Sequence, residues 1–178
     1  MEKISIQYYK SPVGELIVGI YNDRLCICDW RYRRMRTAID ARIQKGLNAG
    51  FVEEQTAVAL QTIQQLDEYF DGSRSEFDIP LLFVGTEFQK SIWNELMNVG
   101  YGTTQTYMGL SRKIDNEKAI RAVASANGAN AISIIVPCHR IVGSDGSLVG
   151  YAGGLSAKKK LLDLERDKNA AVQMNLFE

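Results

Sequence analysis

Reactive side chains concentrate in one stretch of this 178-residue sequence, Ile134-Ile135-Val136-Pro137-Cys138-His139-Arg140-Ile141. An apolar run delivers a thiol and an imidazole side by side, and Pro137 restricts the backbone just before them. A free thiol ionises at about pH 8.5, so only a few per cent is thiolate at neutral pH. Nucleophilic duty therefore needs a base or a cation nearby. His139 is the only histidine in the chain, and Arg140 adds positive charge. Neighbours in sequence need not touch in space, and free cysteine is among the most buried residue types. By itself the pair fits a structural cysteine as well as a nucleophile. A zinc site would have to gather Cys26, Cys28, Cys138 and His139, a spacing that matches no common ligand pattern, so no metal is expected.

The elements that must position this stretch divide into two groups. The first part reads as strand, hairpin, strand. Ile4, Ile6 and Tyr8 alternate, Pro12-Val13-Gly14 turns the chain into Leu16 to Ile20, and Asn22-Asp23 turns it again before Leu25 to Cys28. Cys26 and Cys28 fall on one strand face as core residues. Arg31 to Lys45 is charged and weakly helical. Thr56 to Phe70 is a firmer helix, with Leu60, Ile63, Leu66 and Phe70 on one face and Asp71-Gly72 to stop it. Ser73 to Gly85 has little regular pattern and reads as a linker.

Beyond the linker, Thr86 and Gln89 form a capping box for a helix with Phe88, Ile92 and Leu96 in one stripe. Tyr107 to Ile114 and Glu117 to Asn127, separated only by Asp115-Asn116, have the spacing of a helix-turn-helix. Ile132 to Val136 reads as a buried strand, and Ile141-Val142 and Leu148-Val149 flank a Ser144-Asp145-Gly146-Ser147 hairpin turn. Ser156 is placed to cap a last helix carrying Leu161, Leu162 and Leu164. The expected fold is thus α/β (α+β): a small amino-terminal strand-hairpin-plus-helix domain (1–85 with its linker), a carboxy-terminal winged helix-turn-helix domain (86–168) and a flexible tail (169–178).

The composition allows a sizeable core: 46% of residues are apolar and the formal net charge is zero. Charge is distributed unevenly. Phe88 to Lys160 holds nine Lys and Arg against four acids, net +5, which leaves −5 for the rest. That asymmetry suggests a nucleic-acid face with few phosphate contacts, although solvated surface charge accounts for a modest excess equally well. The start of the chain has no apolar run behind its charges and no stretch is long enough to span a membrane; with an odd number of cysteines, a reduced cytoplasmic protein is expected.

Pro137-Cys138-His139-Arg140-Ile141, followed by Gly150-Tyr151-Ala152-Gly153-Gly154-Leu155 and a Lys-rich leucine helix, resembles the O6-alkylguanine-DNA alkyltransferases, also called methylated-DNA–protein-cysteine methyltransferases. The likeness covers roughly Thr86 to Glu165, and Ser11-Pro12-Val13-Gly14 resembles the family's amino-terminal domain. The resemblance implies that Cys138 accepts an alkyl group from O6-methylguanine, with O4-methylthymine a minor substrate. His139 would take the thiol proton through a water, oriented by Glu165. The lesion must leave the base stack to reach a cysteine. Arg121 would fill the gap, with the small residues around it letting the helix lie close to DNA in the minor groove. The DNA face is assigned to Arg121, Ala122, Ser125, Ala126, Asn127, Gly128 and Arg140. The base pocket is assigned to Tyr107, Asn130, Ile141, Tyr151, Ala152 and Gly153, with Tyr107 also in the catalytic set. Ile141 and Ala152 would contribute backbone groups. No cofactor is implied, because the lesion is the donor; double-stranded DNA is the partner and a monomer is expected.

Three residues depart from the family pattern. Ala131 stands where Pro is common, Ser133 where Pro or an apolar residue is frequent, and Ala152 where many relatives have Ser. The first two bear on the rigidity of the loop lining the pocket and on the width of alkyl group it admits. Without the resemblance, a winged-helix regulator with an alkylation- or redox-sensing cysteine, or a Cys138–His139 hydrolase, fits part of the pattern. Neither accounts for Arg121, Tyr151 and Glu165 together.

Overall fold

The computed structural model describes residues 2–175. Its first half is a four-stranded sheet of β1 (Glu2–Ser11), β2 (Gly14–Tyr21), β3 (Arg24–Trp30) and β4 (Ala49–Glu53), in the order β3-β2-β1-β4. The first three strands form an antiparallel meander; β4 returns parallel to β1 after helix α1 (Arg36–Leu47). Asn22 and Asp23 both adopt positive φ, 47° and 57°, which a two-residue hairpin with the correct twist requires.

Both faces of this sheet are covered. Ile4, Ile6, Ile17 and Ile27 pack against Ile39 and Ile43 of α1, while Tyr9, Leu16, Val18 and Trp30 face helix α2 (Ala57–Asp71) and the second half of the chain. Tyr8 is exposed and lies under the Arg31 guanidinium, 3.8 Å from the ring centroid. Cys26 and Cys28 do not share a face. Gly19 pairs with Ile27 and Ile20 with Leu25, so Cys26 is the extra residue of a β-bulge. The bulge turns Cys26 toward α1 and leaves Cys28 in the opposite core.

Thr56 caps α2 through the Ala59 amide, and Gly72 ends it at φ 83°. The buried face is Ala59, Thr62, Leu66 and Tyr69; Leu60, expected inside, is 46% exposed. The linker is not free either. Leu25 N–H donates to Pro80 O and Leu82 N–H to Leu25 O, which pins residues 80–82 beside β3.

In the second half, α3 (Glu87–Leu96) opens with the Thr86–Gln89 capping box and buries Ile92, Trp93 and Leu96, whereas Phe88 is 37% exposed. Helices α4 (Tyr107–Lys113) and α5 (Ile120–Gly128) form the helix-turn-helix, joined through Asp115 at positive φ and a short 3₁₀ turn, Glu117–Ala119. The expected strand at Ile132–Val136 is instead a folded-back loop. Asn130 explains it: its side-chain amide donates to Ile132 O and Val136 O while its oxygen accepts from Ile132 N–H. A side chain that captures these backbone groups competes with any strand ladder. Ile134 is held at φ +71°, a strained conformation for a β-branched residue.

The wing is also only half formed as an antiparallel hairpin. The turn is present, with Gly143 N–H on Ser147 O, but β6 (Ile141–Val142) pairs in parallel with β5 (Gln105–Thr106) and Leu148-Val149 forms no strand. Helix α6 spans Leu155–Asn175. Ser156 lies inside its first turn rather than capping it, and the segment expected as a tail continues the helix to Asn175; residues 176–178 lie outside the described residues.

The two halves are bonded to each other along β3. Cys28 N–H donates to Ala131 O and Ser133 N–H to Cys28 O, adding residues 131–133 to the strand edge. Buried Asp29 accepts from Arg33, Arg36 and the Ser133 hydroxyl. Arg33 reaches Gly128 O and Asn130 O, and Arg42 reaches Ala129 O. Cations thus meet the orphan carbonyls at the end of α5, where the helix dipole favours them.

Candidate active site

Pro137 leads into a 3₁₀ turn, Cys138–Arg140, that buries all three side chains. Cys138 is 4% exposed and lines a cleft of about 950 Å³. Arg121, Ala124, Ser125, Asn127 and Gly128 of α5 form one wall, and Tyr107, Tyr151 and Ala152 another. The third comes from the amino-terminal half: Met35, Ala38 and Arg42 on and beside α1. Nothing in those residues signals a site, since their relation to Cys138 exists only once α1 is packed. Burial pushes the Cys138 thiol up, against the opposing influence of the Asn130 side chain. The resting sulfur is therefore a thiol that requires deprotonation.

An imidazole is beside it in sequence. His139 Nε2 lies 2.7 Å from Glu165 Oε1, both groups buried. Glu165 also accepts from Arg140 Nε at 2.9 Å, Arg140 Nη2 at 3.0 Å, the Tyr69 hydroxyl at 2.7 Å and, more distantly, the Gly102 amide. Burial opposes its charge, yet the bonds from His139 and Arg140 prevail and hold its carboxyl at about 2. An ionised carboxylate only accepts, so Nε2 carries the proton and Nδ1 holds the free lone pair. Nδ1 is buried and makes no hydrogen bond among the described residues. Burial lowers the His139 pKa, and the neighbouring Arg140 and Lys158 charges lower it further; the Glu165 contact only partly offsets this. At neutral pH the ring is a neutral base.

Lys158, fully buried on α6, was not singled out by sequence. Its ammonium donates to Ile141 O at 2.5 Å, Gly150 O at 3.2 Å and Val149 O at 3.3 Å. These bonds draw 149–150 inward, which explains the missing second wing strand. The loop then places Tyr151 edge-on to Trp30, ring centroids 5.8 Å apart, with its hydroxyl buried and unbonded. The Tyr107 hydroxyl donates to Val149 O across the cleft.

Several expected site residues lie elsewhere. Arg140 is not on a DNA face: it is buried against Glu165 and Val99 O. Ala126 is buried, its carbonyl accepting from the Trp93 indole at 2.8 Å. Ala122 is exposed on α5 outside the cleft. Ile141 is fully buried with its carbonyl on Lys158, and Gly153 packs on Trp30 so closely that a Cβ would sit 2.5 Å from the ring. Ala131 and Ser133 do not line the cleft, being fixed to β3.

Residues 4–83 match the family description "6-O-methylguanine DNA methyltransferase, ribonuclease-like domain", and residues 87–167 match "6-O-methylguanine DNA methyltransferase, DNA binding domain". The chain belongs to the 6-O-methylguanine DNA methyltransferase family. Within that family it is 53% identical over 158 residues to the methylated-DNA–protein-cysteine methyltransferase of Methanosarcina acetivorans, covering 88% of this chain and 95% of that one. The Mycobacterium leprae protein of the same name is 38% identical over 171 residues, covering 94% and 95%. The crystal structure of Mycobacterium tuberculosis OGT in complex with DNA superposes with a TM-score of 0.79 at 34% identity, over 92% of this methyltransferase-family chain and 94% of the other.

Proposed function

We propose that this protein repairs duplex DNA by moving the methyl group of O6-methylguanine irreversibly onto Cys138 Sγ. The observation that carries the reading is the placement of Cys138 in the cleft, one residue from an imidazole locked by an ionised, buried Glu165. His139 Nδ1 removes the thiol proton through one bridging water. The thiolate attacks the methyl carbon, the S–C bond forms as the C–O6 bond breaks, and the electron pair leaves on guanine O6. Tyr107 stays a neutral phenol, its pKa raised mainly by burial, and so can turn its hydroxyl from Val149 O to donate a hydrogen bond to the departing base. No cofactor takes part, since the lesion supplies the alkyl group.

The target nucleotide leaves the stack to enter the cleft, with Arg121, exposed on α5 at its edge, taking its place. Ser125 and Gly128 form the surface along which the strand lies, whereas Asn127, expected on that face, is buried beneath it; Asn130 fixes the reactive loop, and Tyr151 with the Ala152 backbone closes over the base. O4-methylthymine fits the same chemistry as a minor substrate. The thioether is outside the reversible oxidation ladder of thiols, so each molecule acts once. Stoichiometry tests this: lesion removed should plateau at one equivalent of protein, with Cys138→Ser inactive. Continued turnover under lesion excess would point to a hydrolase and end the proposal.

A further inference from the structure

Tyr69 ties the amino-terminal half to the relay; among the described residues it is the one side chain of α2 that bonds Glu165. It is fully buried, and its hydroxyl donates to the same carboxylate oxygen, Glu165 Oε1, that receives His139 Nε2, each at 2.7 Å. Arg140 Nη2 adds a third donor to that oxygen at 3.0 Å. A carboxylate oxygen offers about two lone-pair directions, so these donors share its charge. Every donor besides histidine weakens Glu165 as an acceptor for the ring N–H, and a weaker acceptor leaves the opposite ring nitrogen less basic.

We infer that Tyr69 is a positioning residue for alkyl transfer, whose hydroxyl fixes Glu165 and sets the basicity of His139 Nδ1. The inference rests on the reading of His139 as the base for Cys138. Tyr69 competes with the ring for one oxygen and so keeps the imidazole neutral where the reaction runs. The other groups facing the pair are Arg140 on the same turn, Lys158 on α6, Tyr151 on the loop before α6, and Tyr101 with the Gly102 amide before α4. Of these, only Arg140 and Gly102 bond Glu165 besides Tyr69. The ring of Tyr69 also packs edge-on against Phe70 and Tyr101, so phenylalanine keeps the packing and removes only the donor.

The test uses the full chain and its single histidine, whose imidazole gives one assignable NMR titration. In Tyr69→Phe the carboxylate charge returns to the ring. The imidazole midpoint is expected to rise by about half a unit to one unit, the shift supported by the net worth of one hydrogen bond. The acid limb of single-turnover methyl transfer from an O6-methylguanine duplex should rise with it, with affinity for undamaged duplex unchanged. Replacing Tyr69 by 3,5-difluorotyrosine, a stronger donor of nearly the same shape, should move the midpoint the other way, and this variant serves if phenylalanine does not fold. An imidazole midpoint equal to wild type in both variants, or shifted with the opposite sign, overturns the role of Tyr69. The titration reads the imidazole directly, so it decides this point even if no methyl is transferred, an outcome that would count against the function instead.

Discussion

At the scale of single residues, the centre works because each charge is buried with a partner. Arg140 shows this best: the sequence places it beside the thiol in a basic stretch, yet it is spent on Glu165 and Val99 O. Arg140→Ala should therefore cost about 3–5 kcal/mol of stability, the penalty for stranding a buried carboxylate. Chemical denaturation measures it, and a lost DNA contact with unchanged stability would contradict the assignment. The pH dependence follows from two depressed pKa values. The His139 pKa is lowered below its ordinary 6.5, so the unfolded chain takes the proton first and stability begins to fall below pH 6.5. Glu165 is held at about 2 against an ordinary 4.5, so its contribution is present above pH 4.5 and is lost as pH falls toward 2. Melting temperatures on acidification should decline in these two stages, and methyl transfer should persist below pH 6.5 before the ring protonates; a melting temperature flat from pH 6.5 to 4.5 would contradict the His139 shift, and one flat from pH 4.5 to 2 the Glu165 shift. The His139–Glu165 contact and the place of Cys138 in the cleft were legible because the types and order of these residues match a known chemistry. Lys158 and Tyr69 were not, since a lysine or tyrosine on a helix signals nothing until its partners' backbone and carboxylate are placed.

At the scale of elements, Gly72, the Thr86–Gln89 box and Asn22-Asp23 were legible because they act on immediate neighbours, whereas Ser156, read as a cap, lies inside the first turn of α6. The misread segments are those where one distant or polar side chain overrides a local pattern. Ile132 to Val136 has the composition of a strand, but Asn130 takes its backbone groups, and Lys158 takes those of the wing. The bulge at Cys26 reverses a face assignment that strict alternation would give. Rigidity of the reactive loop, which prolines at 131 and 133 would otherwise supply, comes from pairing with Cys28 and from Ser133 on Asp29. Asn130→Ala should remove this staple, costing about 2–4 kcal/mol for buried backbone groups left unpaired. Amide exchange at Ile132 should rise and methyl transfer should slow, while exchange in α1 stays unchanged; an Ile132 amide as protected as in wild type would contradict the staple.

At the scale of the molecule, the division of labour between the halves was the least legible feature, because it depends on how separately patterned segments meet. The amino-terminal half supplies one cleft wall, Tyr69, and the Asp29–Arg33 bridge to the end of α5. The basic excess read from sequence is correspondingly smaller on the surface. Of its nine cations, Arg140 and Lys158 are buried and Lys90, Arg112 and Lys159 pair with acids, leaving four without an acid partner among the described residues: Lys113, Lys118, Arg121 and Lys160. Four phosphate contacts at most from this set predict a salt dependence of DNA binding no steeper than about −4 in log K against log salt. Fluorescence anisotropy over a salt series checks it, and a slope near twice that would require a DNA face beyond α5 and its surroundings. The central claim is that the alkyl group ends on Cys138. Intact-mass measurement after incubation with an O6-methylguanine duplex, followed by peptide mapping, tests it most directly. The account predicts one added methyl per chain, on the peptide holding Cys138 and absent from Cys138→Ser; an unchanged mass at full lesion excess, or a methyl on Cys26 or Cys28, would contradict it.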